Sequence, residues 1–169
     1  MSLTLGVFKK NPEATIPTFA TRGAACFDVR ACLVGVDSVG GYDSQNSRIF
    51  KCVEGDRVFI APGERLMIPT GLIFDIPDGH SVRFHPRSGI ALKQGLALIN
   101  MEGVVDYDYV DPSMILLWNT TDVTQEIKHG ERIAQAEMVQ DLKYDILESM
   151  FAPIQKTDRQ GGMGSTGKE

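Results

Sequence analysis

Cysteine is scarce in this 169-residue chain: Cys26, Cys32 and Cys52 are the only three. Their number is odd and no two form a C-x-x-C pair, which argues against a disulfide framework or a zinc site. The preferred reading is small buried apolar residues in a reducing compartment. Basic charge is also short. Seventeen Lys and Arg face 22 Asp and Glu, for a net charge of −5. Nonspecific nucleic-acid binding needs a broad basic surface, so that class of partner is not expected. A small anionic ligand needs only a local cluster of donors and stays open. No apolar run approaches the roughly 20 residues of a membrane helix. The start, MSLTLGVFKK, lacks a basic segment followed by an apolar one, so it does not read as a secretory signal. The expectation is a cytoplasmic protein with neither a membrane nor a nucleic-acid partner.

Helical periodicity is scarce as well. Short β-rich segments, separated by Pro, Gly, Asn and Asp, take its place. Strands are expected at 4–8, 25–30, 57–60, 64–68, 72–76, 81–85, 96–100, 104–106, 113–119, 132–139 and 144–147. Many short strands at close spacing imply an all-β sandwich, jelly roll or barrel. One stretch differs: PRSGIALKQG can make about two helical turns, with Ser88 as N-cap and Gly95 closing the C-terminus. Residues 35–55 are polar, lack periodicity at their centre, and read as a surface excursion. The body is expected to occupy 1–151. The polar, Gly-rich tail, 152–169, is expected to be mobile.

Four stretches have the composition of a ligand site. Arg87-Ser88-Gly89 puts a guanidinium, a hydroxyl and an open backbone at a helix start, where free N–H groups and the helix dipole favour an anion. The alternative is an N-cap beside a surface arginine. In INMEGVVDYDY, Met101-Glu102-Gly103 reads as a hairpin turn between two apolar strands. The inner backbone edges of such a hairpin could read a base edge, with Asn100 adding a donor and an acceptor. Asp106 and Asp108 differ by two and would share a strand face, either as chemistry or as a solvated acidic face. In GERIAQ, Gln135 is a polar residue between two alanines, suited to a polar contact or to an edge strand. The tail loop GGMGSTG offers amides and two hydroxyls to an anion, but it lacks the G-K-[ST] ending and the helix of a Walker loop.

Taken in order, these pieces resemble the trimeric dUTP diphosphatase (dUTPase) family. Five motifs carry the resemblance: AACFDVRA (24–31), PRSGIALK (86–93), NMEGVVDYDY (100–109), GERIAQAEMV (130–139) and RQGGMGSTG (159–167). The resemblance implies a β jelly roll with one short helix, assembled as a homotrimer with sites shared between subunits. It implies hydrolysis of dUTP to dUMP and pyrophosphate with Mg2+, and a C-terminal arm that closes over the triphosphate of a neighbouring subunit. Asp106 would be the catalytic base acting on the attacking water. Arg87, Ser88, Gly89 and Gln135 would hold phosphates. Asn100 and the backbone of Gly103, Val104 and Val105 would read uracil and sugar. Tyr109 would pack beneath the deoxyribose, and Met114 would make a further substrate contact. Arg159, Gly164, Ser165 and Thr166 would clamp the γ end. Met163 stands where the family places an aromatic ring over the base. Asp28 would meet the metal through water. Two other readings accompany this one: a dUTPase-fold binding or regulatory protein, and a relative of the dCTP deaminases. The second needs a catalytic glutamate in the strand after the hairpin, where this chain has SMILLWN.

Overall fold

In MILLWN the side chains of Ile115, Leu117 and Asn119 are buried while their neighbours are not, the period-two pattern of a strand with one face on a core. The same alternation recurs along most of the chain. The computed structural model describes residues 3–158. Its elements are β1 (Gly6–Lys9), β2 (Phe27–Arg30), β3 (Ser38–Tyr42), β4 (Arg48–Cys52), β5 (Arg57–Ile60), β6 (Arg65–Pro69), β7 (Leu72–Asp75), β8 (His80–His85), α1 (Ser88–Gln94), β9 (Leu96–Leu98), β10 (Gly103–Asp106), β11 (Met114–Asn119), β12 (Gln125–Lys128) and β13 (Arg132–Gln140).

Two larger sheets make the body, in the orders β10-β8-β13-β2 and β4-β3-β6-β11-β9, and two ribbons, β1-β7 and β12-β5, complete it. All pairings are antiparallel. Val29, Val82, Phe84 and Val105 from the first sheet meet Leu66, Ile68, Leu98, Ile115 and Leu117 from the second in one apolar core. Burying each such side chain contributes about 1.5–3 kcal/mol. Among the buried polar residues is Asn119, whose Nδ2 donates to the carbonyls of Ile60 and Val123 at 2.8 Å each. The architecture is the expected all-β jelly roll with one short helix.

Four details depart from the sequence reading. Residues 35–55 are not without regular structure: β3 and β4 form a hairpin, and β3 joins β6 through Gly41↔Leu66. Only glycine fits at 41, because a Cβ there would collide with the Arg65 carbonyl. Residues 144–147 form no strand, since nothing packs on Tyr144, Ile146 or Leu147, each at least 74% exposed. The N-cap of α1 is Arg87 rather than Ser88, while Gly95 closes the helix at φ 61° as expected. Finally, β9 and β10 do not pair with each other: β9 lies against β11 and β10 against β8. The Met101-Glu102 turn therefore carries the chain from one sheet to the other.

Candidate active site

At the end of β8 the backbone of Arg87 is still extended (φ −97°, ψ 131°), and the helix starts at Ser88. The first intrahelical bond runs from the Ala91 N–H to the Arg87 carbonyl at 3.0 Å. The amides of Ser88, Gly89 and Ile90 come before it, at the positive end of the helix. Two strands away, Asp28 faces outward from β2. Arg87 Nε donates to its Oδ1 at 2.8 Å, and Arg132 Nη1 donates to its Oδ2 at 3.1 Å. Arg87 Nη1 donates to the Arg132 carbonyl at 3.2 Å, and Gln135 Nε2 donates to the Pro86 carbonyl at 2.9 Å. A cavity of about 220 Å3 lies here, lined by Asp28, Arg87, Ser88, Gly89, Arg132 and Gln135, with Cys26 on its wall. Two guanidiniums on one carboxylate leave a net positive charge beside the helix start, which is an environment for an anion. Burial, with the Glu137 carboxylate nearby, pushes the Cys26 thiol above its ordinary 9.0, so it stays a neutral S–H.

Arg132 was not singled out from the sequence, although it stands in GERIAQ. On a regular strand, positions 132 and 135 face opposite ways. A bulge between Arg132 and Ala134 resets the register and turns both toward Asp28. Ile133 and Ala134, consecutive and both buried, mark the irregularity.

The second group of expected site residues lies around β10. Gly103 and Val105 face the core, Val104 and Asp106 face outward, and the Tyr109 N–H closes a turn on the Asp106 carbonyl at 3.1 Å. Asp108 falls in that turn, so it does not share a strand face with Asp106. Gly103 lets the strand lie against Phe84, whose Cβ would stand 3.1 Å from an added methyl. Asn100, exposed, stands in the preceding turn, where its carbonyl accepts from Glu102 N–H at 2.6 Å. Tyr109 and Met114 are about two-fifths exposed, at 42% and 41%. Because β10 is the outermost strand of its sheet, its far backbone edge has no strand partner among the described residues. The edge expected inside a β9–β10 hairpin is thus the free edge of β10.

These two groups do not meet within one chain. Asp106 pairs with Ser81, at the start of β8, and Arg87 follows that strand's other end. Six residues of extended chain separate them, about 20 Å at about 3.3 Å each. Arg159, Met163, Gly164, Ser165 and Thr166 lie outside the described residues.

Comparison with known proteins decides the family. A family model described as dUTPase matches residues 38–167. The deoxyuridine 5'-triphosphate nucleotidohydrolase of Nautilia profundicola is 36% identical over 167 residues, covering 98% of this chain and 100% of that protein. Its counterpart in Roseobacter denitrificans is 38% identical over 156 residues, covering 90% of this chain and 86% of the relative. The chain belongs to the dUTPase family. Solved dUTPases share the fold at lower identity. That of Streptococcus mutans is 24% identical with a TM-score of 0.65, over 83% of this chain and 98% of its own. A Staphylococcus bacteriophage 80alpha dUTPase variant, solved with dUpNHpp, is 19% identical with a TM-score of 0.76, over 97% and 98% of the two chains.

Proposed function

We propose that this dUTPase-family chain hydrolyses dUTP to dUMP and pyrophosphate, using sites shared between the subunits of a cytoplasmic homotrimer. One observation carries the shared-site reading. The anion cavity around Arg87 and the carboxylate of Asp106 lie at opposite ends of β8, farther apart than a nucleotide's α-phosphate and its attacking water. A second copy of the chain supplies the missing half. The described part of the tail fits that reading: Leu142, Ile146, Leu147, Met150, Phe151 and Ile154 are all 82–90% exposed, an apolar surface for a neighbouring subunit to cover. Beyond it, Arg159 and the loop of Gly164, Ser165 and Thr166 would close over the γ-phosphate, with Met163 against the base.

In this reading Arg87, Ser88, Gly89 and Gln135 hold the phosphates of one site. Arg87 commits Nε and Nη1 to Asp28 and the Arg132 carbonyl. Its Nη2 then meets a phosphate oxygen from a fixed position, which is the geometry that phosphoryl transfer rewards. Asp106 of a neighbouring copy accepts the proton of a water. The water oxygen forms a bond to the α-phosphorus, the bond to the bridging oxygen breaks, and pyrophosphate leaves with that electron pair. The free edge of β10 and Asn100 meet the uracil edge, and Tyr109 packs beneath the sugar where a 2′-hydroxyl would clash.

Mg2+ fits this donor set. Asp28 is the one carboxylate among the described residues lining the cavity, and both its oxygens are already engaged by guanidiniums. A hard cation would be carried by triphosphate oxygens and meet Asp28 through water. Bound there, it would offset phosphate charge and align the α-phosphoryl group. A dUTPase of phage phi11 from S. aureus has been described with a structural Mg(II) ion.

The test is pyrophosphate release with dUTP, dCTP, dTTP and UTP in the presence of Mg2+. Release from dUTP alone, with loss of the γ-phosphate as part of pyrophosphate, is the expected result. Ammonia release from dCTP, or no turnover of any of the four, would overturn the assignment.

A further inference from the structure

On the outward face of the β10-β8-β13-β2 sheet stands a side-chain cluster that shares Cys26 with the wall of the anion cavity and has no role in the hydrolysis proposed above. One donor atom each from Cys26, His85 and Glu137 lies within 4.8 Å of the other two. The sheet register brings them together. Ala136 pairs with both Phe84 and Phe27, so Glu137, His85 and Cys26 are the adjacent positions on the opposite face. Phe84, Ala136 and Phe27 are buried, which fixes the cluster on the accessible side. All three cluster residues are partly exposed. His85 Nε2 lies 3.2 Å from Glu137 Oε1, and its Nδ1 faces Glu102 Oε1 at 3.7 Å. Arg83 Nη1 lies 3.5 Å from the other oxygen of Glu102.

We propose that Cys26, His85 and Glu137 form a site for a borderline transition-metal ion, Zn2+ in chemical class, with a fourth position open to water. The donor set of one thiolate, one imidazole and one carboxylate is that of zinc, and it discriminates against the hard Mg2+ of the nucleotide site. Ligand atoms around a tetrahedral zinc stand roughly 3.3–3.8 Å apart, given bonds of about 2.0–2.3 Å. Small side-chain rotations therefore close the cluster onto an ion. In the metal-free protein the His85 Nε2–H donates to Glu137 Oε1 at 3.2 Å. An ion that replaces this proton on Nε2 moves the ring N–H to Nδ1, which faces the Glu102 carboxylate 3.7 Å away, the side from which histidine ligands are oriented. Metal binding ties the entry to β2 to strands β8 and β13 and releases the thiol proton. The cysteine spacing gives no sign of this site because its ligands are far apart in the chain, Cys26 at the entry to β2 and the others on β8 and β13.

The experiment is Co2+ titration of the chelator-stripped full-length chain. Stoichiometric binding should produce a thiolate-to-cobalt charge-transfer band in the near ultraviolet, which Zn2+ then bleaches. Cys26→Ser should abolish the band, whereas Cys52→Ser, at the exposed cysteine, should keep it. His85→Gln should lose tight binding. Glu102→Gln, which touches no metal, should weaken cobalt affinity roughly 10–100-fold, with an unchanged thermal midpoint in the metal-free protein. No band in the parent, a band that survives Cys26→Ser, or unchanged affinity in His85→Gln would each overturn the proposal, and all three are read from cobalt binding without measuring dUTP turnover.

Discussion

Asp106 and Asp28 are both acidic, and their surroundings give them opposite duties. Asp28 has two guanidiniums on it and is committed to holding Arg87 and Arg132. Asp106 is exposed at the end of an edge strand and is not tied to a cation among the described residues, which suits the proton-accepting role proposed for it. Asp106→Asn should lower kcat by roughly 10²–10⁴, the range of a lost general base, with little change in dUMP binding. Steady-state kinetics within a factor of a few of the parent would remove it from that role. A third acid, Asp141, is structural. The Ser81 hydroxyl donates to it at 2.8 Å. That bond, with Lys143 and Arg83 nearby, holds its carboxyl below the ordinary 3.8. A depressed folded-state value contributes stability above the unfolded value, and that stability is lost as pH falls through the folded one. The thermal-midpoint gap between the parent and Asp141→Asn should be full at neutral pH and should close as pH falls below 3.8. A gap that persists in strong acid would contradict the ionic origin. Residue types in short motifs were the legible part of the site: Asp28, Arg87, Ser88, Gly89 and Gln135 do line one cavity. Arg132 was not legible, because a bulge decides its direction and a bulge has no fixed residue pattern.

Glycines set where elements end and the chain changes direction. Helix α1 stops at Gly95, with φ 61°, and a methyl group there would run into the Thr121 side chain. Gly95→Ala should cost about 1–2 kcal/mol from the left-handed backbone alone. Calorimetry should then show a thermal midpoint lower by roughly 2–8 °C; an unchanged midpoint would show that the cap is not strained by a side chain. Strands with clear alternation, such as β5 and β11, were readable because their buried face repeats every second residue. Strand β3 was not, since SVGGY spends two of its positions on glycine, one of them forced by the Arg65 carbonyl. Strand β12, QEIK, buries only Ile127 and offers too little pattern to detect. The error at 144–147 runs the other way: the residues have strand propensity, but propensity without a surface to pack on does not make a strand. Nor can local sequence say which sheet a strand joins: the turn at 101–102 lies where the sequence puts it, but the strands on either side of it join different sheets.

At the scale of the whole molecule, the cavity at one end of β8 and Asp106 at the other are two halves without a common site in one chain. In the proposed trimer a closed ring of copies would bring the Arg87 end of one to the Asp106 end of the next, with every subunit using the same two surfaces. The exposed apolar residues between 142 and 154 then gain a neighbour to cover them. Mixing two inactive variants tests this most directly. Arg87→Ala spoils one half and Asp106→Asn the other, so each homo-oligomer is dead at every site. In a mixed trimer, one of the three interfaces pairs an intact Arg87 with an intact Asp106. Co-expressed and purified as mixed oligomers, the two variants should recover about one third of the parent's pyrophosphate release per trimer. Mixed trimers confirmed by native mass spectrometry that stay as inactive as either variant alone would show that both residues serve the same subunit's site, and the shared-site account would fail.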